Sequence, residues 1–163
     1  MDTFKNILVA VDFNDTIGEL MAYAESIAGK FGSKIWVVHV AEPSPDFTGY
    51  EMGPQYIRDV KAEEFRQEHR QLQEISKLFV DQDIESEALL IQGSTVETII
   101  DEVKKLNADL LIVGTHKHGF LFNLLSENVS LELLKRADIP FLAIPIEENE
   151  EKEDKEKKDE DLG

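Results

Sequence analysis

The sequence contains no cysteine among its 163 residues. This excludes disulfide bonds, thiolate nucleophiles and cysteine-ligated zinc sites, and it fits a reducing compartment. Long hydrophobic runs are also absent, because no apolar stretch approaches the ~20 residues that span a bilayer. The opening residues, MDTFKNILVAVDF, lack the apolar region and cleavage site of a secretory signal. We therefore expect a cytoplasmic protein.

Basic residues are scarce relative to acidic ones. The chain has 17 lysines and arginines against 34 aspartates and glutamates, a net charge of −17. Residues 147–163 hold ten of the acids and four of the lysines, so residues 1–146 keep 24 acids against 13 bases. Binding to a nucleic-acid backbone or to an anionic membrane requires clustered lysine and arginine. The sequence therefore predicts no nucleic-acid partner and no membrane partner.

The distribution of apolar residues predicts one globular domain over residues 1–146. Hydrophobic residues make up 42% of the chain, which is typical of a folded protein. Residues 147–163 keep no apolar period and are predicted to form an acidic disordered tail. The stretch from Pro43 to Pro54 holds three prolines and two glycines, and we predict a mobile loop there.

Five short apolar runs have the near-continuous Val, Ile and Leu content of strands buried on both faces. They are Ile7–Val11, Ile35–Val40, Ser86–Ile91, Leu110–Val113 and Phe141–Ile146. Between the runs lie four stretches whose apolar residues recur every three or four positions, at 17–31, 57–79, 96–106 and 129–137. Gly32 is expected to end the first helix, and Ser94 or Thr95 to cap the third. The alternation predicts an α/β fold with an open, doubly wound parallel sheet.

Two of the predicted strands end in residues that suit a ligand site. Asp12 follows the first strand, and Gly114 and Thr115 follow the fourth as part of a turn. In open α/β sheets, ligands bind beyond the carboxyl ends of the strands, where the strand order reverses. Asp12 is therefore a candidate for hydrogen bonding to an adenine or a ribose. The alternative is that Asp12 caps the first helix, a role for which Asn14 and Asp15 are the favoured candidates.

These residues, taken with the whole pattern, resemble the universal stress protein family over residues 4–146. The resemblance rests on KNILVAVDF, IWVVHV, IQGSTVETIIDEV and above all on ADLLIVGTHKHG followed by NVSLELLKRADIPFLAIP. It implies a five-stranded parallel sheet of order 3-2-1-4-5 with helices on both faces. It also implies a homodimer in which the edge strand Phe141–Ile146 pairs with its copy.

Family members that bind ATP carry a glycine, two residues, a second glycine, nine residues, and then glycine with serine or threonine. In this chain Gly114 occupies the first position, Lys117 the second, Glu127 the third and Asn128 the last. Lys117 adds a cation, but also a Cβ where backbone amides approach a phosphate closely. Glu127 puts a carboxylate at a helix N-terminus, where it repels a triphosphate. The crevice is therefore interpreted as a degenerate nucleotide site, with no certain cofactor.

ATP remains a possible ligand in an alternative interpretation, that of a nucleotide-binding switch with weak or no ATPase activity. The residues that the resemblance assigns to this site are Asp12, Val40, Gly114, Thr115, Lys117, Asn128 and Val129. In it Asp12 and the backbone of Val40 hold adenosine, while Gly114, Lys117 and Asn128 hold the phosphates.

No catalytic constellation is present. The sequence has no HExxH motif and no serine on a nucleophile elbow. His116 and His118 flank Lys117, which opposes a cation, so we interpret both as exposed loop residues rather than metal ligands. His39 and His69 are interpreted as structural. The sequence thus predicts a non-enzymatic regulatory or protective stress protein that acts as a homodimer through an unidentified protein partner.

Overall fold

The computed structural model describes residues 3–13, 17–41, 55–116 and 127–146, and at residues 55–58, 116, 127 and 128 the description covers the backbone. Five strands form one parallel sheet. They are β1 (Asn6–Ala10), β2 (Lys34–Ala41), β3 (Ser86–Gln92), β4 (Leu110–His116) and β5 (Phe141–Ile146). Four helices alternate with them, namely α1 (Gly18–Phe31), α2 (Gln55–Val80), α3 (Thr95–Lys105) and α4 (Glu127–Arg136).

The strand order is β3-β2-β1-β4-β5, as the sequence predicted. Strand β1 lies at the reversal of that order and pairs with β2 on one side and β4 on the other. Leu8 is opposite Trp36 on β2 and Leu111 on β4. Because both neighbours are parallel to β1, all five strands end at one edge, which we call the carboxyl edge.

The side chains of the sheet alternate between two apolar layers. In β1, Ile7 and Val9 belong to a layer with the helices α1 and α2, whereas Leu8 and Ala10 belong to a layer with α3 and α4. Both faces are covered, which explains why the strands are apolar at successive positions rather than at alternate ones. We refer to these layers as the α1/α2 layer and the α3/α4 layer.

Strand β4 is longer than the sequence predicted, which is a correction. The prediction ended it at Val113 and placed Gly114 and Thr115 in a turn. In the structure both residues belong to the strand, with Gly114 opposite Ile144 and Thr115 opposite Pro145 on β5. Pairing with β5 extends the strand through residues whose local sequence favours a turn.

Helix α1 ends as predicted. Gly32 has a positive φ of 65° at the C-cap, where a side chain would be strained, and its amide donates to the carbonyl of Ala28. At the other end the N-cap residue is Ile17, which has no side chain able to cap. Asn14 and Asp15, the predicted capping residues, lie outside the described residues. The first turn starts with the amide of Met21 bonded to the carbonyl of Ile17.

Helix α2 is much longer than the strands beside it. Its 26 residues extend about 39 Å, against about 23 Å for the seven residues of β3. Its buried side chains all lie at its end, at Leu72, Ile75, Ser76 and Phe79, and between residues 59 and 71 none is buried. Ion pairs within this polar half, such as the 3.0 Å contact of Arg66 with Glu63, support it.

Two predicted segments lie outside the described residues. They are the loop Pro43–Pro54 and the acidic segment 147–163. Among the helices that the structure describes, none combines the length and the apolar character that crossing a bilayer requires.

Candidate functional site

The carboxyl edge between β1 and β4 carries a buried carboxylate. Asp12 follows the end of β1 and is only 1% exposed. Just before it, the amide of Val11 donates to the carbonyl of Val38 at 2.9 Å, so the backbone is held to β2 beyond the last strand residue. In β1, Ala10 lies opposite Val113. This pair is the last of the β1–β4 pairing, and Asp12 follows it by two residues.

Buried apolar side chains lie next to this edge. Val40, near the end of β2, is 4% exposed and shares the α3/α4 layer with Ala10 and Val113. These three side chains come from three neighbouring strands and close the same end of that layer. The structure therefore brings the predicted residues Asp12 and Val40 to one end of adjacent strands.

Gly114 lies beneath a side chain of β5. A Cβ on Gly114 would be 2.6 Å from the Cδ1 atom of Ile146, closer than non-bonded carbon atoms approach. Ile146 is itself only 3% exposed, so it has little room to move. Packing of β5 onto β4 therefore accounts for a glycine at this position without any phosphate.

The first turn of α4 contributes the remaining predicted residues. Glu127 is the first residue of the helix and Asn128 the second. Val129 is half-buried and packs in the α3/α4 layer. Lys117 and His118 lie outside the described residues. The structure thus places Glu127 at the head of a helix that enters from the carboxyl edge, where a helix N-terminus favours an anion.

His39 has the structural role that the sequence predicted, next to the chain segment that leads to Asp12. Its ring is 4% exposed, and Nδ1 is 2.9 Å from the carbonyl oxygen of Val11. Because a carbonyl oxygen only accepts, Nδ1 carries the hydrogen in this contact. The ring also packs against Phe13, with 4.5 Å between centroids. His39 therefore fixes the backbone that carries Asp12, a structural role that its place inside an apolar strand indicated.

Two hydroxyl groups are buried in the first turns of helices. Thr95 in the first turn of α3 is 7% exposed, and Ser130 in the first turn of α4 is 8% exposed. Neither side-chain oxygen has a hydrogen-bond partner in the part of the chain that the structure describes. A serine or threonine in the first helical turn was the only sequence signal for either of them.

The first turn of α3 is closed by an acid. Ser94 occupies the N-cap position, one of the two predicted residues, but its hydroxyl donates to the carboxylate of Glu97 instead of capping the helix. Arg136 of α4 donates to the other oxygen of Glu97 at 2.9 Å. The bond from Ser94, then those from Arg136 and from its own amide, lower the pKa of Glu97 to about 2. This carboxylate therefore joins α3 to α4.

No group of three or more potential metal ligands occurs among the described residues. The interpretation of His116 as a loop residue is wrong, because it is the last residue of β4 and lies opposite Ile146 on β5. For His118, which lies outside the described residues, the same interpretation stays a prediction.

Comparison with known proteins decides the family. The model of the universal stress protein family matches residues 3–145. The chain belongs to the universal stress protein family. A family member from Thermus aquaticus is 30% identical over 143 residues, which cover 86% of this chain and 98% of that protein.

Solved structures of the family share the fold. The protein UspA from Lactobacillus plantarum superposes with a TM-score of 0.70 at 16% identity, covering 87% of this chain and 98% of that one. A family member from Archaeoglobus fulgidus, solved in complex with dAMP, has a TM-score of 0.58 at 20% identity, covering 88% and 99%. At these identities the likeness concerns the fold alone.

The contact of Gly114 with Ile146 predicts a destabilised Gly114→Ala variant. We expect it to lose about 1–3 kcal/mol of unfolding free energy, because the added methyl group overpacks the β4–β5 contact. Ile146→Val removes the Cδ1 atom, so the same substitution should cost less in that background. Urea unfolding of the four proteins measures the difference. Gly29→Ala is the control, because nothing lies within 4 Å of its added Cβ. Equal losses in both backgrounds would contradict this packing explanation.

The bonds to Glu97 predict its titration. Ser94→Ala should raise the pKa of Glu97 from about 2 towards 4.5, and by more than Arg136→Met does, because the serine bond contributes most. Since the pKa is depressed by folding, the stabilisation is present above pH 4.5 and is lost as the pH falls towards 2. Carboxyl NMR titration measures both values. A wild-type value near 4.5 would rule out this network.

Proposed function

We propose that this stress-response protein is non-enzymatic and acts as a homodimer through binding of a protein partner, with a degenerate nucleotide crevice at the carboxyl edge. The observation that carries the proposal is that α4 begins at Glu127. The helix N-terminus is the part of a parallel α/β fold that favours phosphate, and here its first residue is an acid.

The charge of Glu127 is large enough to matter. Two unit charges ~4 Å apart at an effective dielectric near 20 interact by roughly 4 kcal/mol, which corresponds to orders of magnitude in affinity. A carboxylate in the first turn of a helix is itself favourable, because it interacts with the helix dipole. Gly114 is not evidence for phosphate binding, because its packing against Ile146 is a sufficient reason for the glycine.

Removal of this charge should restore nucleotide binding. We expect no measurable heat when Mg-ATP is titrated into the wild-type protein at micromolar concentration, and binding at least about tenfold tighter in Glu127→Gln, which loses the charge. Glu127→Gly should gain further, because it also removes the side chain. Isothermal titration calorimetry measures each affinity. Glu132→Gln is the matched control on the exposed side of the same helix. An affinity for Mg-ATP that Glu127→Gln and Glu127→Gly leave unchanged would reject this account.

The alternative proposal is an ATP-binding switch with weak or no ATPase activity. In it Asp12 and the backbone of Val40 hold adenosine, and Gly114, Lys117 and Asn128 hold the phosphates beside Thr115 and Val129. The burial of Asp12 at the carboxyl edge supports this candidate, as does the family member solved with dAMP. Ion-exchange chromatography of ligand released from denatured protein separates the two, because adenine nucleotide in the extract favours the switch.

The dimer proposal is supported by the surface of β5. This strand is at the end of the sheet order, and an apolar edge strand invites pairing with another chain. Ala143 and Pro145 are exposed on it, whereas Ile144 and Ile146 are buried against the α1/α2 layer. Pro145 lacks an amide donor, so pairing should concentrate on residues 141–144. The side chains of Leu131 and Leu134 on α4 are 46% and 55% exposed, and they add apolar area to the protein surface.

Ala143→Arg should break this dimer. If two β5 strands pair antiparallel about a twofold axis, the two arginines face each other across it and repel. Sedimentation equilibrium should then give the mass of two chains for the wild type and of one chain for the variant. Ala62→Arg, an exposed substitution in the polar half of α2, should remain dimeric. A wild-type monomer, or a dimer that Ala143→Arg leaves intact, would refute the edge-strand interface.

A further inference from the structure

An apolar groove lies at the end of the molecule opposite the carboxyl edge. It is about 230 Å³ in volume, where the last turns of α3 and α4 converge. Ile100, Val103 and Ala108 form its buried wall, and Ala137 and Ile139 form a half-buried one. Small-molecule pockets usually enclose about 300–1,000 Å³. This groove is smaller, and its size suits one apolar side chain with its neighbouring backbone.

The rim of the groove carries cations. Lys104 and Arg136 line it, together with Asn107 and one acid, Asp138. Arg136 is engaged with Glu97 at 2.9 Å, whereas Lys104 makes no ion pair with any residue that the structure describes. In a chain with twice as many acids as bases, an apolar groove with more cations than acids on its rim is an unusual surface. Cations at helix C-termini are explained by the helix dipole, but the apolar opening between them is not.

The acidic segment 147–163 has the complementary chemistry. Its sequence is EENEEKEDKEKKDEDLG, in which Leu162 is the single large apolar residue. Three consecutive acids, Asp159 to Asp161, come directly before that leucine. A leucine preceded by carboxylates suits an apolar groove whose rim holds Lys104 and Arg136.

We propose that Leu162 of the acidic segment occupies the groove between the ends of α3 and α4, with Asp159–Asp161 against Lys104 and Arg136. The segment covers its own groove, so an outside acidic peptide has to compete with it. This contact is separate from the crevice at the carboxyl edge and does not depend on nucleotide binding or on the β5 dimer.

The chain is long enough for this contact. The segment starts after Ile146 at the carboxyl edge, and the six residues of β5 span about 20 Å back to the groove end. The 16 residues from Ile146 to Leu162 reach about 50 Å when extended. Because the segment is tethered, its effective concentration is of millimolar order, so a contact with a dissociation constant of about 1 mM is formed about half the time.

A spin label next to Leu162 tests the contact in the full-length chain. The chain has no cysteine, so Gly163→Cys gives a single labelling site. We expect paramagnetic broadening of the amide signals of Asn107 and Ala137, while Glu74 and Leu78 on the opposite layer keep their intensity. Loss of the leucine in Leu162→Ser should weaken the contact about tenfold, which lowers the broadening about fivefold. Lys104→Glu should reduce it as well, and the matched charge reversal Lys77→Glu on α2 should not.

Three results would overturn the proposal. One is broadening spread evenly over the exposed amides of both layers. Another is broadening at the groove that Leu162→Ser leaves unchanged. The third is broadening that appears only when isotope-labelled chains without a spin label are mixed with spin-labelled chains, because the occupant is then the segment of a second copy. All four substitutions change exposed residues or the acidic segment, so the fold of the domain is kept.

Discussion

Strand β1 has a paired neighbour on each edge and a helical layer on each face, and no side chain from Ile7 to Asp12 is more than 3% exposed. The rest of the architecture depends on this complete burial. A strand that is apolar on both faces cannot be stable at the surface, so helices have to cover both sides of the sheet. It also lies at the reversal of strand order, which is where open α/β sheets bind ligands, and the buried Asp12 follows its end.

The sequence predicted the parts of this structure that depend on local pattern. Continuous apolar runs gave the five strands, and for β5 the predicted ends, Phe141 and Ile146, are those observed. The predicted end of β4 was wrong because Gly114 and Thr115 are typical turn residues. Their pairing with β5 keeps them in the strand. The predicted bounds of α1 agree with the structure to within one residue, because its apolar period and Gly32 are local signals.

The candidate site was predictable in position rather than in chemistry. Asp12 and Val40 lie at the carboxyl edge, as expected from the ends of parallel strands. No local pattern indicated that Ser94 bonds to Glu97, or that Arg136 reaches the same carboxylate from another helix. Acids therefore stand in the first turns of both α3 and α4, at Glu97 and Glu127. Acids in a first helical turn interact favourably with the helix dipole.

The contact between Gly114 and Ile146 has a consequence for genetics. The resemblance described above assigns Gly114 to nucleotide binding, so an allele that replaces it would be scored as a ligand-binding mutant. Here the same replacement pushes directly on the last residue of β5. The phenotype of such an allele would reflect the packing of β5 onto β4. An allele of Glu127, in contrast, changes the helix end without touching that edge.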